Sequence, residues 1–373
     1  MTWILDEQRR MLRDSAQHFL AERAPVSQLR ALRDSRDAHG HDTALWRAFG
    51  EQGYSATLVL EAHGGLGLGV AEAGLIAEQI GHTVAASPFF STAVLAAWLL
   101  KTAGSEAQQQ HWLPRIAAAQ TIVTLAVDEQ SRHKPSALAT GAARDSGGWR
   151  LDGDKLLVLD GHVADAWIVA ARADGGTVLL LVPKDTAGVS VERTVMVDAH
   201  NAARLRFNGA HVSADALIGS IEHGAALLDG VLDVGRAVAA SELLGLADEV
   251  FERTVEYLKQ RKQFERAIGE FQALQHRAAE LFCDLELTRA IVRQAQAAID
   301  SASADAPLRV AQAKARACLT ANRAVQEGVQ MHGGIGMTDE LEIGLFMKRA
   351  RVLQELFGDA AFHTDRAALL SGY

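Results

Sequence analysis

The chain is 373 residues long, 49% hydrophobic and 22% charged, a balance that supports globular cores in two or three domains and excludes global disorder. Its net charge is −9 and its Lys and Arg residues are scattered, so it carries no electrostatic footprint for nucleic acid or an anionic membrane. A small molecule or another protein is the expected partner.

At the N-terminus, MTWILDEQRRMLRDSAQHFL is amphipathic and lacks the continuous apolar core and small-residue cleavage site of a signal peptide. No run of about 18 apolar residues occurs to span a membrane. A cytoplasmic protein is therefore expected. From Leu5 to about Ala118 the apolar residues recur at helical spacing, as in Met11, Ala16, Phe19 and Leu20, then Leu75, Ile76 and Ile80, with turn signals at HGG (63–65) and SP (87–88). This predicts an N-terminal helical domain over 1–119. From Thr121 the pattern changes to short strands: IVTLAV (122–127), KLLVLDG (155–161), DAWIVAAR (165–172), TVLLLVP (177–183) and ARLRF (203–207). The intervening DSGG, LDGD, ADGG and KDTAG read as tight turns between antiparallel strands, giving a middle β-domain over 120–223. Helical spacing then returns over 231–259, 271–299 and 308–331 and in a last segment from about Glu342, with a loop at SASADAP (301–307). The C-terminal domain, 224–373, is thus expected to be a four-helix bundle, and the whole chain α+β. Cys283 and Cys318 fall inside helical patterns without metal-ligand spacing, so no metal site is expected.

Within QMHGGIGMTDE (330–340), Gly333, Gly334 and Gly336 interrupt a helical stretch. Each glycine disfavours a helix interior by about 1 kcal/mol relative to alanine, so this is a built break. It reads either as a helix–helix turn or as a place where backbone must come close to a ligand.

Three segments together resemble the acyl-CoA dehydrogenase family. RKQFERAIGEFQALQHRAAELFCDLELTRA (261–290) is similar to its R-x-Q-F-G-x-x-I-x-x-F-Q-x-x-Q pattern, and QMHGGIGMTDE resembles its downstream Q-x-H-G-G-x-G. KLLVLDGHVA (155–164) falls where the family carries a G-x-K-x-[WF]-[IV]-[TS]-x-G strand. The resemblance spans essentially the whole chain and agrees with the domain order. It implies FAD as cofactor, an acyl-CoA substrate, an electron-transfer flavoprotein or similar acceptor, and a tetramer, either of one chain or mixed with a second family member. It further implies that Arg261, Gln263, Phe264 and Gln272 on one segment, and Gln330, Gly333, Gly334 and Gly336 on the other, approach the nucleotide part of FAD across a subunit interface. The physical chemistry suits that role: glycines let backbone N–H groups face phosphate oxygens, and arginine supplies fixed charged donors. A solvated helix-end charge for Arg261 and core packing for Phe264 are the structural alternatives.

The implied reaction is α,β-dehydrogenation: a carboxylate takes the Cα proton while the β-hydride passes to flavin N5, and hydrogen bonds polarise the thioester oxygen. The family's usual glutamate position falls here on Phe357 in LFGD (356–359), and the position used by a minority falls on Gly235 in LDVGRAV (232–238). Neither residue can take a proton. The family's T-E-P-x-x-G-S-D segment appears as AVDEQSRHKPSA (126–137) without its Gly-Ser-Asp. Its flavin-packing Trp and Thr fall on Leu157 and Leu159, and Glu265 and Ala267 replace the usual Gly and Pro. One reading moves the base to Glu242, close to two helical turns beyond Gly235 and so about 10 Å further along the axis, or to Asp359. A buried, arginine-paired carboxylate is the structural alternative for Glu242, and a helix cap for Asp359. A second reading, the favoured one, makes the chain the partner subunit of a mixed α₂β₂ enzyme acting on a bulky or dicarboxylic thioester. A third is a same-fold flavin oxidase or monooxygenase.

Overall fold

In this computed structural model, which describes residues 5–373, the first half is helical: α1 (Glu7–Arg23), α2 (Val26–Ser35), α3 (Thr43–Glu51), α4 (Val70–Thr83), a π-helical segment (Phe89–Ala96), α5 (Ala97–Ala103) and α6 (Glu106–Ala117). Asp6 caps α1 by accepting the Arg9 N–H at 2.8 Å, Asp42 caps α3 through the Ala44 and Leu45 N–H groups, and Ser105 with Gln108 forms a capping box on α6. Strands follow: β1 (Val123–Ala126), β2 (Gly141–Arg144), β3 (Gly148–Leu159), β4 (Ala166–Ala173), β5 (Gly176–Pro183), β6 (Val189–Val195), β7 (Asn201–Ser213) and β8 (Leu217–Ile218). The C-terminal part holds α7 (Gly224–Gln260), the short strands β9 (Lys262–Gln263) and β10 (Arg266–Ala267), α8 (Gln272–Asp300), α9 (Ala306–His332), a 3-10 segment (Gly333–Met337), α10 (Ile343–Glu355) and α11 (Ala360–Leu370). The architecture is therefore α+β, helices then sheet then helices. No described helix is long and apolar enough to cross a membrane.

The chain forms two compact units. One comprises Ala31–Gly69 and Ala86–Gly235. Its sheet runs β6-β7-β3-β2-β4-β5-β8, with β1 alongside β4. The turn signals imply antiparallel pairing throughout, but β1 and β2 both run parallel to β4. β2, β6 and β8 are not among the strands expected from the sequence. GAAR lacks β-branched residues, β6 alternates with polar residues at a sheet edge, and β8 has two residues. Trp149, Trp167, Val169, Leu180, Leu205 and Phe207 fill the sheet core, each buried side chain contributing about 1.5–3 kcal/mol.

The other unit comprises the residues up to Arg30, Val70–Ala85 and Arg236–Tyr373. Here α4 crosses α7 at close range: a Cβ on Gly81 would lie 2.2 Å from the Glu242 carbonyl oxygen, and one on Gly245 would lie 1.8 Å from that of Glu78. The last expected helix proves to be two. Phe357 (φ +57) and Gly358 (φ +106) turn the chain between α10 and α11, and only the glycine is at ease there.

Candidate functional site

Two of the singled-out segments meet at one end of the second unit. Past the end of α7, the Arg261 N–H still donates to the Tyr257 carbonyl at 2.8 Å, and the chain then turns through the β9–β10 hairpin with Gln263 opposite Arg266. The two central residues, Phe264 (φ +53) and Glu265 (φ +69), both adopt the left-handed geometry of a type I′ turn, where glycine or asparagine is favoured. Phe264 is 85% exposed, so it is not a core residue; its ring meets Phe271 edge-on at 6.2 Å. The Arg266 guanidinium sits 4.0 Å from the Phe271 ring centre, and Gln272 opens α8 in an exposed position.

α9 ends at His332, and the three glycines that follow have different causes. Gly333 (φ 66, ψ −141) occupies backbone space that essentially only glycine reaches. A Cβ on Gly333 or Gly334 would meet nothing within 4 Å, so the backbone there is bare, whereas one on Gly336 would lie 2.4 Å from the Val329 carbonyl oxygen. Gly336 therefore closes packing while Gly333 and Gly334 present surface. Gln330 is exposed one turn earlier, its carbonyl accepting the Gly333 N–H. The rings of Tyr257 and His332 lie 4.4 Å apart, joining the end of α7 to the glycine break. Sequence reasoning missed Tyr257: nothing in its local pattern separates it from an ordinary helix residue. Bare glycine backbone and the exposed Arg261 fit a phosphate-bearing nucleotide such as FAD.

The positions that would carry a base lie away from this end. Phe357 is 6% exposed, and its carbonyl accepts from Arg236 Nε and from His363 Nε2, both at 3.1 Å. Lys314, fully buried on α9, donates from Nζ to the carbonyls of Leu353 (2.9 Å), Gln354 (3.2 Å) and Gly358 (3.2 Å). Burial pushes its ammonium below the ordinary lysine value. Burial, with the nearby Lys314 and Arg236 charges, pushes His363 down to about 2, so this imidazole stays neutral. The buried turn is thus gripped by three side chains from three helices. Lys314 also escaped sequence reading, although its place on the stripe Val310, Ala311, Ala317, Cys318, Ala321 is a legible sign of burial.

Glu242 is 2% exposed and pairs with Arg349, whose Nε lies 2.7 Å from Oε1. Asp359 caps α11, accepting the Phe362 N–H at 2.8 Å. Gly235 is buried in α7.

In the sheet-bearing unit, segment 126–137 is tied down by a buried ion pair. Lys155 Nζ lies 2.6 Å from Glu129 Oε1, and Glu129 also accepts from the Ala139 and Thr140 N–H groups. Burial opposes the Glu129 charge, but these donors hold its carboxyl below the ordinary value. Leu157 sits at a register shift between Lys155 and Val158, left-handed at φ +51 and 46% exposed; Leu159 is half-buried.

Comparisons with known proteins bear on the chain as a whole. Three family models match: Acyl-CoA dehydrogenase, N-terminal domain over residues 6–120, middle domain over 122–210 and C-terminal domain over 222–368. Acyl-CoA dehydrogenase FadE27 of Mycobacterium tuberculosis is 31% identical over 326 residues, covering 86% of this chain and 85% of that protein. The crystal structure of the ChsE4-ChsE5 complex from Mycobacterium tuberculosis superposes with a TM-score of 0.92 at 28% identity, covering 100% of both chains. A variant of the Tcur3481-Tcur3483 steroid ACAD superposes with a TM-score of 0.90 at 29% identity, covering 98% of each. The chain belongs to the acyl-CoA dehydrogenase family of FAD-dependent oxidoreductases.

Proposed function

We propose that this chain is the base-lacking subunit of a mixed acyl-CoA dehydrogenase and works beside a second family member that carries the glutamate. The observation that carries the reading is the state of every carboxylate offered as a substitute base. Glu242 is buried in an ion pair with Arg349, and Asp359 is spent on a helix cap, while Phe357 occupies the usual position. A base must be free to reach Cα, and a carboxylate buried in an ion pair with a guanidinium is not. The residues assigned to the nucleotide, Gly336 apart, are by contrast exposed.

When bound, FAD supplies the hydride acceptor. Arg261 would place charged donors on its pyrophosphate, and Gly333 and Gly334 would let backbone approach its phosphates. Two of the similar solved structures, ChsE4-ChsE5 and Tcur3481-Tcur3483, are assemblies of two proteins, which supports a mixed oligomer. The second is called a steroid ACAD, which supports a bulky acyl-CoA thioester as substrate. An electron-transfer flavoprotein or similar acceptor completes the partners.

Co-expression with a base-carrying family member encoded next to it tests the proposal. A yellow, stable complex that oxidises a bulky acyl-CoA is expected, with the lone chain poorly loaded with flavin. A flavin-loaded homotetramer with full turnover overturns it.

A further inference from the structure

A second concave site lies wholly within the helical unit, apart from the residues assigned to FAD. A cleft of about 420 Å³, a size suited to a small organic ligand, opens between the first turns of α1 and α4, the last turns of α8 and the loop that leads into α9. Its floor is apolar: Leu75 and Ala298 are buried there, with Leu5, Ala71 and Ala297 beside them.

The charge around this floor is largely of one sign. Arg9 from α1, Arg293 from α8 and Arg309 from α9 line the cleft against a single carboxylate, Asp305. In a chain whose net charge is −9, three guanidinium groups brought from three helices to one apolar hollow run against composition. The neighbouring acids do not line the cleft. Glu72 accepts from Arg9 Nε at 2.7 Å, and Asp300 takes the Val70 and Ala71 N–H groups that open α4, at 2.7 and 3.0 Å. Asp305 itself accepts from the Ser303 hydroxyl and from Arg309 Nε. Donors are left over: both Nη groups of Arg9 and one of Arg309 make no hydrogen bond among the described residues. Burial holds Arg293 below the ordinary arginine value, and the Arg289 and Arg13 charges add to this against the pull of Glu78, so an anion beside it would be favoured.

The geometry points to a binding site for a medium-chain aliphatic carboxylate, its carboxylate among the three guanidinium groups and its chain along the floor of Leu75 and Ala298. A guanidinium offers a planar fork of donors that matches a carboxylate, and each CH₂ taken from water raises affinity by up to about fourfold. Inorganic phosphate and short carboxylates bring the charge without the chain. The site uses none of the proposed flavin contacts, so it stands or falls separately from the subunit reading.

Octanoate, titrated into the full chain by calorimetry beside butyrate and inorganic phosphate, tests the assignment. Saturable binding is expected, at least about tenfold tighter for octanoate than for either control. Arg309→Gln should weaken it by roughly ten- to a hundredfold. Ala297→Phe, a change at an exposed position that fills the cleft and touches no charge, should abolish it, and it decides alone should Arg309→Gln fail to fold. No saturation into the millimolar range, a control that binds as tightly as octanoate, or octanoate binding that survives Ala297→Phe and so lies elsewhere on the chain overturns the assignment.

Discussion

The turn at Leu356–Asp359 and the hairpin at Arg261–Ala267 belong to one unit yet spend their polar groups in opposite ways. At the turn, Lys314, Arg236 and His363 all face inward and four backbone carbonyls are taken up by side chains of the same chain. At the hairpin, Arg261, Gln263 and Gln272 point to solvent, Phe264 is 85% exposed and two non-glycine residues hold left-handed geometry. The first region is a finished piece of scaffold without a proton acceptor at its apex. The second is open, with donors and an aromatic ring left largely to solvent. Such a contrast is expected when a family member keeps its interface and its frame but leaves proton abstraction to another subunit.

The strongest way to break the comparison is Lys314→Met. Three carbonyls would lose a charged donor in a buried site, and a destabilisation of roughly 4 kcal/mol is expected in denaturant unfolding. A midpoint close to wild type would mean that the turn holds itself and that the grip is incidental.

Glu242→Gln should come next. It removes the Glu242 charge from its buried pair with Arg349, 8% exposed, at a cost of about 3 kcal/mol. The two roles considered for Glu242 separate cleanly here. An ion-pair residue loses stability first and turnover only in proportion, whereas a base would lose all turnover with the fold and flavin content intact. The second outcome would restore a self-sufficient enzyme.

The turn also carries a pH signature. Because the folded pKa of His363, about 2, is depressed below its unfolded value of about 6.5, the folded state binds fewer protons between those limits. Its contribution is therefore fully present above about pH 6.5 and is lost as pH falls, by about 3 kcal/mol on reaching pH 4.5. His363→Gln keeps a donor for the Phe357 carbonyl and removes the titration. Its melting temperature should depend less steeply on pH across this range, and identical slopes would show that other groups set the acid limb.

How much of this was readable in advance divides along the same line. The hairpin and the glycine break declare themselves as strings, because each is continuous in sequence: Arg261 to Gln272 and Gln330 to Gly336. The helices of the bundle were legible from their apolar spacing, and so were β1, β3, β4, β5 and β7. The grip on the turn was not, because Lys314, Arg236 and His363 come from three helices and converge only in the fold. Nor was the Glu242–Arg349 pair, which joins residues 107 positions apart. β2 and β8 failed for a different reason: a strand without β-branched residues and one of two residues are stabilised by a neighbour's backbone, not by their own composition.

The smallest expected effect on the lone chain is the most informative about the interface. Arg261 is exposed, follows the last turn of α7 and makes no ion pair among the described residues, so Arg261→Ala should change stability by no more than about 0.5 kcal/mol. In the complex the same change removes charged donors from a phosphate, and the affinity for FAD should fall by roughly ten- to a hundredfold, read by equilibrium dialysis and by the ratio of flavin to protein absorbance. The converse pattern, a lower melting temperature with flavin uptake unaltered, would make Arg261 a scaffold residue like Lys314. The hairpin would then be as self-contained as the turn, with no nucleotide contact left for it to make.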